Sequence, residues 1–476
     1  MARSIFQHRA CRLACFLLLL WLTCMSYYTH RLAAQSARGR DAAFVPSAAG
    51  DLWPHVATAP AHDGGSVEKV SLPIGQERTF FSYPGIDRVD AILLQMGYRR
   101  APKHQATFLF YKGKGKIEWS TLRPWQRVSH LRTEGVVSHK GHMFERLIAW
   151  QDRMGATGLP FLPETYLLGT RRGRRQFLQA TERGLDSAWI LKIPWKDGGK
   201  GLTLIHTEAQ LRDVRRQAAA EENHEDLVMQ RYIKDPLLVD GRKFDLRVYW
   251  IVASINPEPI LLYQDGSLRV SMLPFHDPLS PQAAADAQHE HFTNAAQQKS
   301  DQEYDKLKED TRKTFRQLHA ILRQQFPNHP VDPLDDVRCQ IEQTLAIVWN
   351  SAQEDLTIRH EYPDAFSLMG ADFTIDQNLH LWLTECQSGP GLPSNTAAAN
   401  ETVLGAVSEF FRTADEVMGL QRDGRWPSWP LRSLQTSEPF LHGRKYPRDV
   451  ISPACVRIGR PTTAVLPRAS LMHVTD

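Results

Sequence analysis

Polar and apolar residues alternate most sharply between Arg242 and Trp250. Lys243, Asp245 and Arg247 fall on one face of an extended chain and Phe244, Leu246 and Val248 on the other, which predicts a strand with a charged front and an apolar back. A cation, anion, cation row is either a self-paired surface ladder or one wall of a phosphate site. Further on, Ala371 to Ile375 and Leu379 to Gln387 flank the turn-like Asp376-Gln377-Asn378 and predict a β-hairpin. A turn centred near Asn378 and Leu379 sets Asp372 opposite Glu385, and the two-residue period puts Gln387 on the same face. Leu379, Leu381 and Leu383 share that parity. Glu385 is therefore expected to end an apolar row, where a lone charge is costly unless a cation meets it. Two carboxylates and an amide oxygen converging on one point suit Mg²⁺, and a hairpin with an acidic rim suits the same spacing.

Other blocks extend the pattern in both directions. From Thr79, the stretches Phe80 to Tyr98 and Ala106 to Phe110 read as a small leading unit of strands and a helix, followed by a helix-like Lys140 to Arg153 and a loop from Pro160 to Tyr166. Ala188 to Lys192 and Leu202 to Ile205 read as strands joined by a glycine-rich segment holding Gly198, Gly199, Lys200 and Gly201. Such a segment is a plain turn or a phosphate loop. It is not a Walker loop, because the spacing fails and no Ser or Thr follows the lysine. After a helix at Glu208 to Ala220, Leu227 to Ile233 is an ordinary buried strand or one whose backbone edge meets a purine. Arg269 follows the Gln264-Asp265-Gly266 turn, and His291-Phe292-Thr293-Asn294 adds small polar groups. The series from Tyr304 to Leu322 and from Val337 to Val348 predict two amphipathic helices.

Charge and cysteine content narrow the function classes. Residues 1–40 hold six Arg and no Asp or Glu, so the 57 basic residues of the whole chain leave 51 in the remainder, against 53 acidic. A body with that balance is not built for nucleic acid. The run Arg171, Arg172, Arg174, Arg175 reads as a solvated loop. Arg3, Arg9 and Arg12 precede an apolar run from Ala14 to Met25, expected to be a signal anchor giving single-pass membrane association of Golgi or ER type. An organelle transit peptide fits the same acid-free leader. Of the body cysteines, Cys339, Cys386 and Cys455 are too widely separated for a disulfide framework or a zinc pattern. Cys386, opposite in parity to Glu385, reads as a packing residue.

Taken in order, several stretches resemble the tubulin tyrosine ligase-like family of ATP-grasp ligases over roughly Thr79 to Thr413. They are WQRVSH followed by Lys140, PETYLL, WILKIP with GGKGL, QRYI, GRKFDLRVYWIVAS, DGSLRVS, HFTN, and GADFTID with LWLTECQSGPGL. The resemblance implies an α/β (α+β) fold, an ATP-grasp domain at 166–415 behind a smaller N-terminal α/β domain at 79–165. A targeting segment at 1–32, a flexible stem at 33–78 and a Pro-rich irregular tail at 416–476 complete the expected plan.

The resemblance also implies roles. Lys192 and Gly198, Gly199, Lys200 and Gly201 would cover phosphates of ATP, while Gln230, Arg231, Tyr232 and Ile233 would contact adenine. Lys243 and Asp245 would hold phosphate and ribose, and Thr293 and Asn294 would complete the nucleotide site. Arg247 and Arg269, with Lys243, would be the catalytic cations facing the γ-phosphate and an acidic substrate. Asp372, Glu385 and Gln387 would ligate Mg²⁺. In the reaction so implied, a carboxylate attacks ATP to give an acyl phosphate, and the amine of a free amino acid, glutamate first among the choices, displaces phosphate. The acceptor would be a protein: tubulin on microtubules if the body is cytosolic, a secretory-pathway protein if it is not. Two positions and one stretch depart from the family pattern: Gln387 and Ser129 stand where Asn is usual, and Gly389-Pro390-Gly391 is richer in glycine. These departures leave a second reading, an ATP-grasp protein that binds nucleotide or a partner without turnover.

Overall fold

The computed structural model describes residues 78–422, except 84–86, 124, 156–157, 195, 197–200, 221–226, 253–260, 281–287, 300–302 and 358–365, together with 440–441 and 444–445. The expected targeting segment, the stem up to residue 77 and most of the tail lie outside the described residues. The expectation of a signal anchor and membrane localisation is corrected. No helix among the described residues is long and apolar enough to cross a membrane, and the run Ala14 to Met25 that suggested one lies outside them.

Three larger sheets organise the rest, beside a two-stranded pairing of Phe440–Leu441 with Arg444–Lys445. The first is parallel, in the order β2-β1-β3-β4, from β1 (Thr79–Ser82), β2 (Arg99–Arg100), β3 (Phe108–Phe110) and β4 (Arg127–Val128). The second is antiparallel, in the order β5-β8-β6-β7, from β5 (Thr165–Leu167), β6 (Trp189–Lys192), β7 (Leu202–Ile205) and β8 (Val228–Arg231). The third contains β9 (Leu238–Val239), β10 (Arg242–Val252), β11 (Leu261–Val270), β12 (Arg312–Thr314), β13 (Ser367–Ile375) and β14 (Leu381–Ser388). Its order is β12-β11-β10-β13-β14, with β9 beside β10. This mixed helix and sheet architecture is the α/β ATP-grasp type that the motifs imply.

Local chemistry explains where several elements begin. Thr207 and Gln210 form a reciprocal capping box that opens the helix Glu208–Ala219, and Thr314 and Gln317 do the same for Phe315–Gln325. That second cap also breaks the single helix expected from Tyr304 to Leu322. Arg312 to Thr314 pair with β11 as an edge strand before the helix starts. The arginine run at 171–175 is helical rather than a loop, because the Thr170 side chain accepts a hydrogen bond from the Gly173 amide and caps Arg171–Ala180. Cys339 is disulfide-bonded, a link that the spacing of the body cysteines does not suggest.

One apolar core runs through both expected domains. Leu109, Val128, Phe144, Leu147 and Phe161 of the leading region share a cluster with Leu246, Val337, Ile341, Phe373, Leu381 and Leu383. A second cluster packs Phe108 and Phe110 against Phe410 and Phe411 of the helix Ala397–Arg422, with Phe108 and Phe411 centroids 5.3 Å apart. Each fully buried side chain of this size contributes about 2–3 kcal/mol. The last helix therefore continues past the expected boundary at 415, held down by the first sheet. The expected boundary at 165/166 falls inside β5.

Candidate active site

β10 supplies the charged wall. Lys243 Nζ lies 2.7 Å from Asp245 Oδ1. Asp245 also accepts hydrogen bonds from the hydroxyls of Thr293 (2.6 Å) and Thr374 (2.6 Å). Burial pushes the Asp245 carboxyl up, but Lys243 and Arg269 outweigh it and hold the group below its usual range. The row is thus no surface ladder: Lys243 is buried, and the carboxylate between its neighbours is fixed from three sides.

β13 and β14 bring the second wall, through an irregularity that parity alone does not show. Ile375 pairs with Leu381 and Phe373 with Leu383, but Asp372 pairs with Glu385, so Thr384 is an extra residue, a β-bulge. The bulge changes which residues face the core. Leu381, Leu383 and then Cys386 are buried, while Glu385 turns to the other face opposite Asp372. The expectation that Glu385 ends the apolar row is corrected: Cys386 ends it, and burial pushes that thiol up, away from nucleophilic use.

Asp372 is the electrostatic centre. Arg247 Nε donates to Oδ1 at 2.5 Å and its Nη2 to Oδ2 at 3.0 Å, and Arg269 Nη2 donates to Oδ2 at 2.6 Å. Burial works against the charged carboxyl, yet the two guanidiniums hold its pKa well below the usual carboxylate range. The register allows this contact, since Arg247 lies directly opposite Asp372 across the ladder. Glu385 meets a different cation, Lys140 Nζ at 3.0 Å, from the first turn of the helix Lys140–Arg153.

Lys192, the last residue of β6, closes the cleft from the second sheet. Its ammonium donates to Gln230 Oε1 at 2.6 Å and to the carbonyl of the bulged Thr384 at 2.8 Å. Burial lowers its pKa to about 8, with Glu385 opposing the shift. Tyr232, also buried, places its hydroxyl 2.8 Å from His291 Nδ1. Burial, with Lys243 and His206 adding to it, lowers the His291 pKa to about 4, so this ring is neutral near pH 7.

Most of the expected site residues meet around one cleft. Lys192, Lys243, Asp245, Arg269, Asp372 and Glu385 line it, as do Gln230, Arg231, Tyr232, Ile233 and Asn294. Thr293 and Arg247 reach it through Asp245 and Asp372. Gly201 and Gln387 are not among its lining residues. Gly201 sits where an added Cβ would lie 2.7 Å from the Ile193 carbonyl oxygen, and Gln387 stands across from Gly370. Gly198, Gly199 and Lys200 lie outside the described residues. Arg231 is drawn to the rim by Glu164 (2.6 Å) and Asp186 (3.1 Å).

The donor chemistry fits Mg²⁺. Among the described residues there is no group of three or more His, Cys, Asp or Glu that could cage a metal ion. Mg²⁺ asks for less, one or two carboxylates with phosphate and water completing its shell. Asp372 and Glu385 face each other across the ladder, with Gln387 next along the same face, and an ion held between them would share Asp372 with Arg247 and Arg269 and Glu385 with Lys140.

Four side chains in or beside the cleft were not singled out as site residues in the sequence: Lys140, Thr374, Thr384 and His291. Lys140 carries a signal that could have found it, since a lysine in the first turn of a helix opposes the helix dipole and needs another reason to be there. Thr384 carries none, because a bulge shifts register without changing composition.

Comparison with known proteins bears on this arrangement. The Tubulin-tyrosine ligase family matches residues 120–421. The chain is 30% identical over 308 residues to the protein polyglycylase TTLL10 of Macaca fascicularis, covering 62% of this chain and 45% of that protein. It is 28% identical over 310 residues to the inactive polyglycylase TTLL10 of Homo sapiens, covering 62% and 44%. Tubulin monoglutamylase TTLL4 of Mus musculus is 27% identical over 284 residues, covering 58% and 22%. The chain spans less than half the length of each of these curated relatives.

Proposed function

Because the chain belongs to the tubulin-tyrosine ligase family, we propose that it is an ATP- and Mg²⁺-dependent ligase that joins an amino acid, glutamate first among the candidates, to a protein acceptor such as tubulin. One observation carries the reading: Lys192 of β6, Lys243 of β10, Arg269 of β11 and the facing pair Asp372 and Glu385 converge on a single cleft.

In this reaction an acceptor carboxylate oxygen attacks the γ-phosphorus of ATP and ADP leaves. The amino acid's nitrogen then attacks the acyl carbon, inorganic phosphate departs and the amine releases a proton. No protein nucleophile is needed, so the chain's work is positioning and charge neutralisation. Lys192 and Lys243 present ammonium groups to phosphate oxygens from two walls, and the Gln230 to Ile233 edge is available to a purine. Arg247 and Arg269 hold Asp372 in one orientation and leave guanidinium edges toward an anionic substrate. Asp372 and Glu385, with Gln387 beside them, would hold Mg²⁺, which when bound neutralises phosphate charge and orients the transferring group.

Incubation with ATP, Mg²⁺, labelled amino acids and tubulin should label the acceptor. Glu385→Gln should reduce that labelling at least a hundredfold while the circular dichroism spectrum stays unchanged, because it removes one metal charge from a folded site. Undiminished labelling by the variant would overturn the metal assignment. The second reading, a module that binds nucleotide without turnover, is favoured by Gln387 lying off the cleft lining and by the inactive relative. ATP binding by calorimetry with no labelled product under any donor would select it.

A further inference from the structure

Arg312 has no part in the scheme above, and its surroundings leave it unexplained. It stands on β12 directly opposite Arg269 on β11, so the two side chains leave the same face of the sheet side by side. Arg269 lines the cleft. Arg312 is 8% exposed, and among the described residues no acceptor or carboxylate engages its guanidinium. Its Nε is buried without a partner, as is the Nε of Arg269. Burial, with Arg269 and Arg247 adding to it, lowers its pKa to about 10.

The local balance of charge is lopsided. Arg247, Arg269 and Arg312 lie close together, and each carboxylate around them already has a cation: both Asp372 oxygens go to Arg247 and Arg269, Asp245 is paired with Lys243, and Glu385 with Lys140. Two hydroxyls stand near Arg312, but each is committed elsewhere. Tyr249 donates to the Gly391 carbonyl at 3.2 Å, and Tyr304 accepts from Asn395 Nδ2 at 2.9 Å. A buried cation without a counter-charge is costly, and an apolar side chain would fill the same space at lower cost. Such a group is retained to advantage where an anion arrives to meet it.

We propose that Arg312 and the unengaged edge of Arg269 form a carboxylate subsite that selects an acidic substrate residue, which makes Arg312 a specificity determinant. The proposal rests on the ligase reading for its substrate, and the carboxylate has two possible sources. It is the side chain of a dicarboxylic amino acid donor, or a glutamyl side chain of the acceptor beside the modified position. A planar guanidinium suits either, because it donates two parallel hydrogen bonds to a carboxylate.

The test uses the full chain, wild type and with Arg312→Met or Arg312→Lys, with ATP and Mg²⁺. Donors are glutamate and glycine, and acceptors are a peptide rich in glutamate and one in which the flanking glutamates are glutamine. Arg312→Met should raise KM at least tenfold for whichever component carries the carboxylate and leave the neutral counterpart within twofold, while Arg312→Lys recovers part of the loss. A rise confined to glutamate assigns the subsite to the donor; one confined to the acidic peptide assigns it to the acceptor. Equal effects on acidic and neutral components, or none on either, overturn the proposal.

A second measurement needs no turnover. Arg312→Met should melt higher than the wild type without ligand, and millimolar glutamate or acidic peptide should raise the Tm of the wild type but not of the variant. A variant that melts lower and keeps the ligand response overturns the proposal. A wild type that ligates nothing would sink the ligase reading alone, because the melting shift still decides Arg312.

Discussion

Lys192 combines two conditions that a phosphate ligand would resolve. Its ammonium is buried, and its partners are a neutral amide and a carbonyl rather than a carboxylate. With burial lowering its pKa to about 8, the group is mostly charged at neutral pH and loses its proton at higher pH than that. A bound phosphate favours the charged form, so the sign of the coupling is fixed. Below about 8 nucleotide binding should involve no proton at this site; above it binding should take one up and ATP affinity should fall. Calorimetry in two buffers of different ionisation heat reads the uptake directly, and Lys192→Met should abolish it. Equal proton counts at pH 7 and pH 9 would sink this account.

The terminal hairpin shows how far parity carries. Facing of Asp372 and Glu385 is legible from strand period and turn residues alone. The turn itself is tighter than expected, with Leu379 in the left-handed region at φ 62° and Ile375 opposite Leu381. The bulge at Thr384 then restores the pairing that a regular hairpin with a wider turn would have given. What parity misread was the burial of the row, since one inserted residue exchanges the two faces of everything after it. The glycine-rich close of this strand has a steric reason. Gly389 adopts φ 55°, and a Cβ there would lie 2.8 Å from the Lys112 carbonyl oxygen. Gly389→Ala should therefore cost about 1–3 kcal/mol of stability, from left-handed strain plus backbone displacement. Its urea midpoint should fall, whereas Gly391→Ala, where nothing lies within 4 Å, should change little.

At the scale of the whole molecule, the order of motif blocks made the family legible, because each block keeps its residues contiguous. The union of two expected domains into one core was not legible. Periodicity shows that Leu109, Phe144 and Leu383 are buried but not that they are buried against one another. The helix at Arg171–Ala180 was hidden for a different reason: cations at a helix start oppose its dipole, and only the Thr170 cap reveals it. We propose the 79–165 and 166–415 division as a description of sheets rather than of independent folding units. A fragment beginning at residue 166 should lack a cooperative thermal transition, since it exposes the faces that Phe144, Leu147 and Phe161 cover and leaves Glu385 without Lys140. A sharp melt for that fragment would show the core to be divisible.

The Lys192 to Thr384 hydrogen bond joins the second sheet to the third across the mouth between them. In the proposed reaction the same ammonium would also meet a phosphate oxygen of ATP. A catch of this kind holds the jaws together while they are empty and lets go as cargo enters, so loosening between the sheets would accompany loading rather than precede it.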